Sequence, residues 1–210
     1  FASDGPAPYA KLLLQRERRL ATIRDMEGEI DKDTINSLCF TPGTTFMNNL
    51  EKHLGGYMDK LKNKYKIAIN VLFNGPDEAE FKLVKQLLFN HDINPSDKHL
   101  IVSNDADVCI MSSFLKCYNH VYVAIKLKHN LHLFSVNEFV NAIIGKNNKH
   151  IECPNLDVGT IMLLMGNDYI PKLYYSGFDK IMKSYKLAVI KKKYGLINTD
   201  GTMNKSFLKD

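Results

Sequence analysis

No apolar stretch in this 210-residue chain approaches the length of a membrane span, and no signal peptide is visible. A membrane-spanning helix is thereby excluded among these residues, and the expectation is a protein without a membrane partner. Cysteine is sparse, with four residues (Cys39, Cys109, Cys117 and Cys153) and no CxxC spacing. That excludes the usual zinc-ligand pattern and reads instead as reduced, structural thiols of an intracellular protein; the expected compartment is cytoplasmic or nuclear, with the cytoplasm favoured. The seven histidines contain no HExxH pattern, which excludes that zinc-hydrolase arrangement. Internal repeats and low-complexity tracts are missing too, so a repeat array is not expected.

What remains is an ordinary globular composition, 45% apolar and 24% charged, sufficient for one substantial core and a small helical annex. A formal charge of +5 suits a polyanionic partner, although many unrelated proteins share it. More specific are six carboxylates in four clusters: Asp4 in FASDGPAP, Glu78 and Glu80 in GPDEAEFK, Asp105 and Asp107 in NDADVC, and Asp168 in MGNDYIP. All but Asp4 occupy the polar turn or helix start after an apolar run. Acids gathered at one sheet edge repel one another unless cations neutralise them. Oxygen-only ligation points to Mg²⁺ or Mn²⁺, and paired ions of this kind serve in-line phosphodiester cleavage. The bland alternative is that each acid merely favours a helix N-terminus through the dipole.

Periodicity predicts a helix from Ala7 to about Arg24, with Lys11, Gln15, Arg18 and Arg19 on one stripe and Leu13, Leu20 and Ile23 packing inward from the other side. The stripe is either a solvated face or a set of donors for a terminal phosphate. An exposed acidic segment is expected over Asp25–Asp33, then a helix to about Lys64, a strand over Lys66–Phe73 and a helix over Glu78–Leu88. Strands are expected at His99–Ser103, His120–Ile125 and Leu131–Phe134, with Ser135 capping the helix VNEFVNAII. A helix ends at Met165 before GNDYIP, and a basic helix stops at Gly195. This alternation suggests an α/β domain with a mainly parallel sheet, which places ligands at strand C-terminal ends. Met162–Met165 reads as core, and Lys191–Lys193 as a solvated helix end.

The blocks DGPAPYAKLLLQRERR, TPGTTFM, DEAEFK, DADVCIM and GNDYIPKL resemble, in order, the N-terminal nuclease region of the Xrn-type 5′→3′ exoribonucleases. The resemblance implies a PIN/FEN-like α/β fold, a partial nuclease domain over 1–175 and a helical extension of it over 176–210. It implies metal ligation and catalysis by Asp4, Glu78, Glu80, Asp105, Asp107 and Asp168, with two Mg²⁺ or Mn²⁺ ions. It further implies 5′-monophosphate binding by Lys11, Gln15, Arg18 and Arg19, with Lys82 orienting phosphate or a ligand carboxylate. The substrate so implied is single-stranded RNA with a 5′-monophosphate, degraded to mononucleotides.

Several positions depart from the family pattern. Asp77 and Ala79 stand where glycines are usual, Phe81 replaces a common histidine, and tryptophan is absent. The chain begins at Phe1 inside a motif, so a family aspartate is expected upstream, and nothing downstream resembles the second characteristic region. A flap-endonuclease-like DNA enzyme and a non-catalytic RNA-binding module stay open as alternatives.

Overall fold

The structure, a computed structural model, describes residues 1–26, 35–73, 75–89, 94, 96–145, 149–174 and 177–209. The acidic segment expected over Asp25–Asp33 lies outside them from residue 27 onward. The chain divides into two compact units, Phe1–Leu83 and Val84–Asp210. No helix among the described residues is long and apolar enough to cross a membrane.

The first unit begins with an extended segment. The Phe1 ammonium donates to the Asn70 carbonyl at 2.9 Å, and the Leu72 N–H donates to the Phe1 carbonyl at 2.8 Å. Helix α1 (Tyr9–Asp25) follows Pro8, which takes the N-cap position, where its missing N–H costs nothing. A single 3₁₀ turn (Ser37–Phe40) precedes α2 (Thr45–Tyr65), whose N-cap Thr44 accepts a bond from the Met47 N–H at 3.2 Å. The helix stops at Lys66 in the left-handed region, φ 56°. Helix α3 (Ala79–Phe89) contains the boundary between the units.

Two expectations for this unit are corrected. Lys66–Phe73 forms no regular strand; its pairing is one parallel bridge, Ala2 to Leu72. The apolar side chains of Ile67 and Val71 are exposed, so burial does not favour a regular strand here. Nor do Leu13, Leu20 and Ile23 pack inward: they are 56%, 41% and 39% exposed. The buried residue of α1 is Lys11, because an ion pair rather than the apolar stripe turns the helix.

The second unit is a small sheet flanked by helices. Strand β1 (His99–Val102) leads through α4 (Asp107–Ser113) to β2 (Val121–Leu127), and the two strands pair in parallel with Ile101 opposite Val123. Strand β3 (Asn130–Ser135) returns antiparallel, with Leu127 opposite Asn130. The sheet, in order β1-β2-β3, is therefore mixed rather than mainly parallel. A helix crossover permits parallel pairing, whereas the two-residue link Lys128–His129 permits only a hairpin.

Helices α5 (Val136–Ile144), α6 (Pro154–Leu164) and α7 (Phe178–Lys192) build the main core of this unit. It is centred on Val140, Val158, Ile161, Tyr185, Val189 and Phe207. Ser135 caps α5 as expected, its hydroxyl accepting from the Glu138 N–H at 3.3 Å. Cys109 and Cys117 are buried free thiols, which agrees with a structural role.

Candidate functional site

In the first unit the segment 3–7 runs beside the turn 75–79. The Gly5 N–H donates to the Asp77 carbonyl at 2.8 Å, and the Asp77 N–H donates to the Pro6 carbonyl at 3.1 Å. Gly5 is required at this crossing, since a Cβ there would stand 2.0 Å from the Gly75 carbonyl oxygen. The clasp sets Asp4 over the start of α3, where its Oδ1 accepts the Ala79 N–H at 2.9 Å. A carboxylate there satisfies an unpaired helix donor and meets the positive end of the dipole.

Lys11 projects from the first turns of α1, and its Nζ donates to Glu78 Oε2 at 2.8 Å. Both residues are nearly closed to solvent, at 6% and 5% exposure. Gln15 and Arg19 are half-buried and Arg18 is exposed, all along the same edge of the helix. Glu80 is half-buried in the first turn of α3. Buried Lys82 directs its ammonium at two backbone carbonyls, Ser3 at 2.9 Å and Phe73 at 3.4 Å. It thereby braces the segment that carries Asp4. The Ser3 hydroxyl donates to Glu51 on α2 and, at 3.3 Å, to the Phe73 carbonyl.

In the second unit, Asp105 and Asp107 are brought together by a local turn. Asp105 Oδ1 accepts the Asp107 N–H at 2.8 Å, and the Asp105 N–H donates to the Ser103 hydroxyl at 3.1 Å. This is an Asx-type link that starts α4, so Asp105 serves the helix whatever else it does. Burial and the nearby Asp105 charge push the Cys109 thiol up to about 11, which keeps it protonated and unreactive.

Asp168 sits half-buried in the turn after α6. Asn167 shapes that turn, its Oδ1 accepting the N–H groups of Tyr169 at 2.9 Å and Ile170 at 2.8 Å. Gly166, at φ 83°, leaves no room for a Cβ beside the Lys172 backbone nitrogen, 2.6 Å away.

Within neither unit do three or more His, Cys, Asp or Glu side chains among the described residues gather closely enough to hold a metal ion. As they stand, the acids of each unit do not by themselves fit a divalent ion.

Three supporting residues escaped the sequence reading. Ser3 and Asn167 adjoin the predicted acids and could have been flagged as turn formers. Asp157 had a plainer signal, the lone acid in the apolar helix PNLDVGTIMLL. Completely buried, it accepts from the Tyr185 hydroxyl at 2.7 Å and from the Leu196 and Ile197 N–H groups at 2.9 and 2.7 Å.

Comparison with known proteins gives one family match: the model described as the XRN 5′-3′ exonuclease N-terminus fits residues 1–125. The 5′-3′ exoribonuclease 1 of Saccharomyces cerevisiae is 26% identical over 97% of this chain and 16% of its own length. A putative 5′-3′ exonuclease of Acanthamoeba polyphaga mimivirus is 27% identical over 88% of this chain and 33% of its own. The 5′-3′ exoribonuclease 2 of Gallus gallus is 31% identical over 53% of this chain and 15% of its own. The chain thus spans at most a third of the length of these relatives. Among solved structures, a catalytic core of Rad2 in complex with DNA substrate matches 88% of this chain and 46% of its own. Its TM-score is 0.43 at 19% identity, too loose a likeness to carry an argument.

Proposed function

We propose, because the chain belongs to the XRN 5′-3′ exonuclease N-terminus family, that it acts in 5′→3′ hydrolysis of RNA bearing a 5′-monophosphate, releasing mononucleotides. One observation carries the reading furthest: Lys11 of the basic α1 edge lies 2.8 Å from Glu78, inside the first unit. Donors suited to a terminal phosphate and a carboxylate of the acidic set are thus adjacent. Lys11, Gln15, Arg18 and Arg19 receive the 5′-phosphate, with guanidinium groups matching its oxygens in pairs. Lys82 contributes by holding Ser3, the neighbour of Asp4.

Asp4, Glu78, Glu80, Asp105, Asp107 and Asp168 are the oxygen donors whose chemistry suits Mg²⁺ or Mn²⁺. The acids of each unit do not gather in threes among the described residues. A single-nucleotide step follows from the chain's own donors: an end held by its phosphate exposes the first internal phosphodiester at a fixed distance. A cap or a triphosphate overfills donors arranged for one phosphate.

RNA of one sequence ending in 5′-phosphate, 5′-hydroxyl or a cap, incubated with Mg²⁺ and with EDTA, tests this. The expected result is degradation of the 5′-phosphorylated RNA alone, abolished by EDTA. Equal degradation of all three ends removes the phosphate-binding role. Preferential binding of 5′-phosphorylated RNA without nucleotide release assigns the chain to a non-catalytic module instead.

A further inference from the structure

Helix α7 carries apolar side chains on two surfaces. Met182, Tyr185, Ala188 and Val189 are buried in the core of the second unit. Leu187 and Ile190 lie off that stripe and are 58% and 57% exposed, and Phe178 in the first turn is 37% exposed. A helix that packs by one stripe carries polar residues over the rest of its surface, so apolar side chains gathered outside the core mark an interaction site.

These side chains line a concavity. An open hollow of about 420 Å³ runs between α5 and α7, with Ala142 and Ile143 on one wall and Phe178, Leu187 and Ile190 on the other. A second hollow, of about 250 Å³, lies at the end of α5 over Ile144, Ile151 and Val189. The two adjoin at Lys186 and Ile190, which line both. From Phe178 to Ile190 the trough runs about 18 Å along the helix axis, the length of about three helical turns. Its charge is unbalanced. Lys183 and Lys186 stand in the lining, and the acid there is Asp179, in the first turn of α7.

We propose that this trough docks an amphipathic helix of a protein partner, one whose apolar ridge is flanked by Asp and Glu. The apolar ridge fills the hollows in the manner of a helix laid in a groove. Acids beside the ridge meet Lys183 and Lys186, whereas a basic helix meets like charges there. A single-stranded nucleic acid fits less well, because its bases stack on aromatic faces and the exposed lining is aliphatic apart from Phe178.

A phage-displayed library of helices of about 15 residues, randomised at apolar and charged positions, is selected on the 210-residue chain. Enriched sequences are expected to repeat apolar residues at i, i+3 or i+4, and i+7, with an excess of Asp and Glu beside them. Enrichment of basic or charge-neutral sequences overturns the proposal, and so does the absence of any enrichment. The strongest peptide, followed by fluorescence anisotropy, is expected to bind the double variant Leu187→Ser with Ile190→Ser at least about 10-fold more weakly. Both side chains are mostly exposed, so the serines leave the core intact. Equal affinity for this variant and the wild type puts the peptide elsewhere and sinks the docking.

Charge reversal gives an independent arm. Lys183→Glu with Lys186→Glu is expected to weaken the acidic peptide by about 10-fold and to accept a peptide with lysines in place of its acids. Unchanged affinity for the acidic peptide overturns the charge match. Competition by single-stranded RNA that disappears in the serine variant makes the trough a nucleic-acid surface, against the proposal.

Discussion

At the residue scale, Asp157 shows how a single acid can be structural. Burial raises its carboxyl above the ordinary 3.8, while the bonds from Tyr185, Leu196 and Ile197 pull it back down. A raised folded value means the native state holds the proton more tightly than the unfolded chain. The stability contributed by this group is therefore complete below about pH 3.8 and falls as pH rises through the folded value. Asp157→Asn gives a chain that accepts fewer of these bonds, less stable by about 1–3 kcal/mol. Its thermal stability is expected to decline less steeply with rising pH than the wild type's, as scanning calorimetry from pH 3.5 to 7 would measure. Asp77 is the second instance. It holds φ 81°, a region suited to glycine. Asp77→Gly is expected to unfold about 1 kcal/mol later than Asp77→Ala in urea, because alanine retains the Cβ that opposes this conformation.

At the scale of elements, the cap of α5 was plain in the sequence because it is local. Ser135 caps α5 through a bond to its own third neighbour, and Ser135→Ala is expected to cost about 1 kcal/mol in urea denaturation. The hairpin was not legible, because the strands were expected to end at Ile125 and begin at Leu131. Only their observed extension to Leu127 and Asn130 leaves the two-residue link that forces it. Other features were not legible because partners distant in the chain decided them. The residues 66–73 carry a strand-forming composition, yet Ile67 and Val71 stay exposed and the pairing is the single bridge between Ala2 and Leu72. The α1 helix has a clear apolar stripe, and a periodicity rule directs it inward. Lys11 is instead the residue the helix buries, paired with Glu78, while Arg18 on the same edge stays exposed. A hydrophobic pattern records which face is apolar, not which face finds a partner.

At the scale of the whole chain, the order of the motif blocks sufficed to identify the family, and the match over residues 1–125 agrees with it. The acids were readable as residue types suited to divalent ions. Their assembly was not, because Asp4, Glu78 and Glu80 belong to one unit and Asp105, Asp107 and Asp168 to the other. If all six serve one reaction, Asp105→Ala is expected to lower turnover of 5′-phosphorylated RNA by at least about 100-fold. RNA binding, read by fluorescence anisotropy, should remain within about threefold, since the proposed phosphate donors lie on α1. Retained turnover in this variant would place the chemistry elsewhere.

The sequence by itself determined the family, the helices and the cap at Ser135, and the chemical kinds of side chain available to a site. These follow from spacing along the chain and from forces acting over a few residues. The tertiary structure decided that Lys11 is buried against Glu78, that Lys82 braces backbone, and that Asp157 anchors the segment after α7. Each of those contacts joins residues well separated in sequence, and burial away from water gives it its strength.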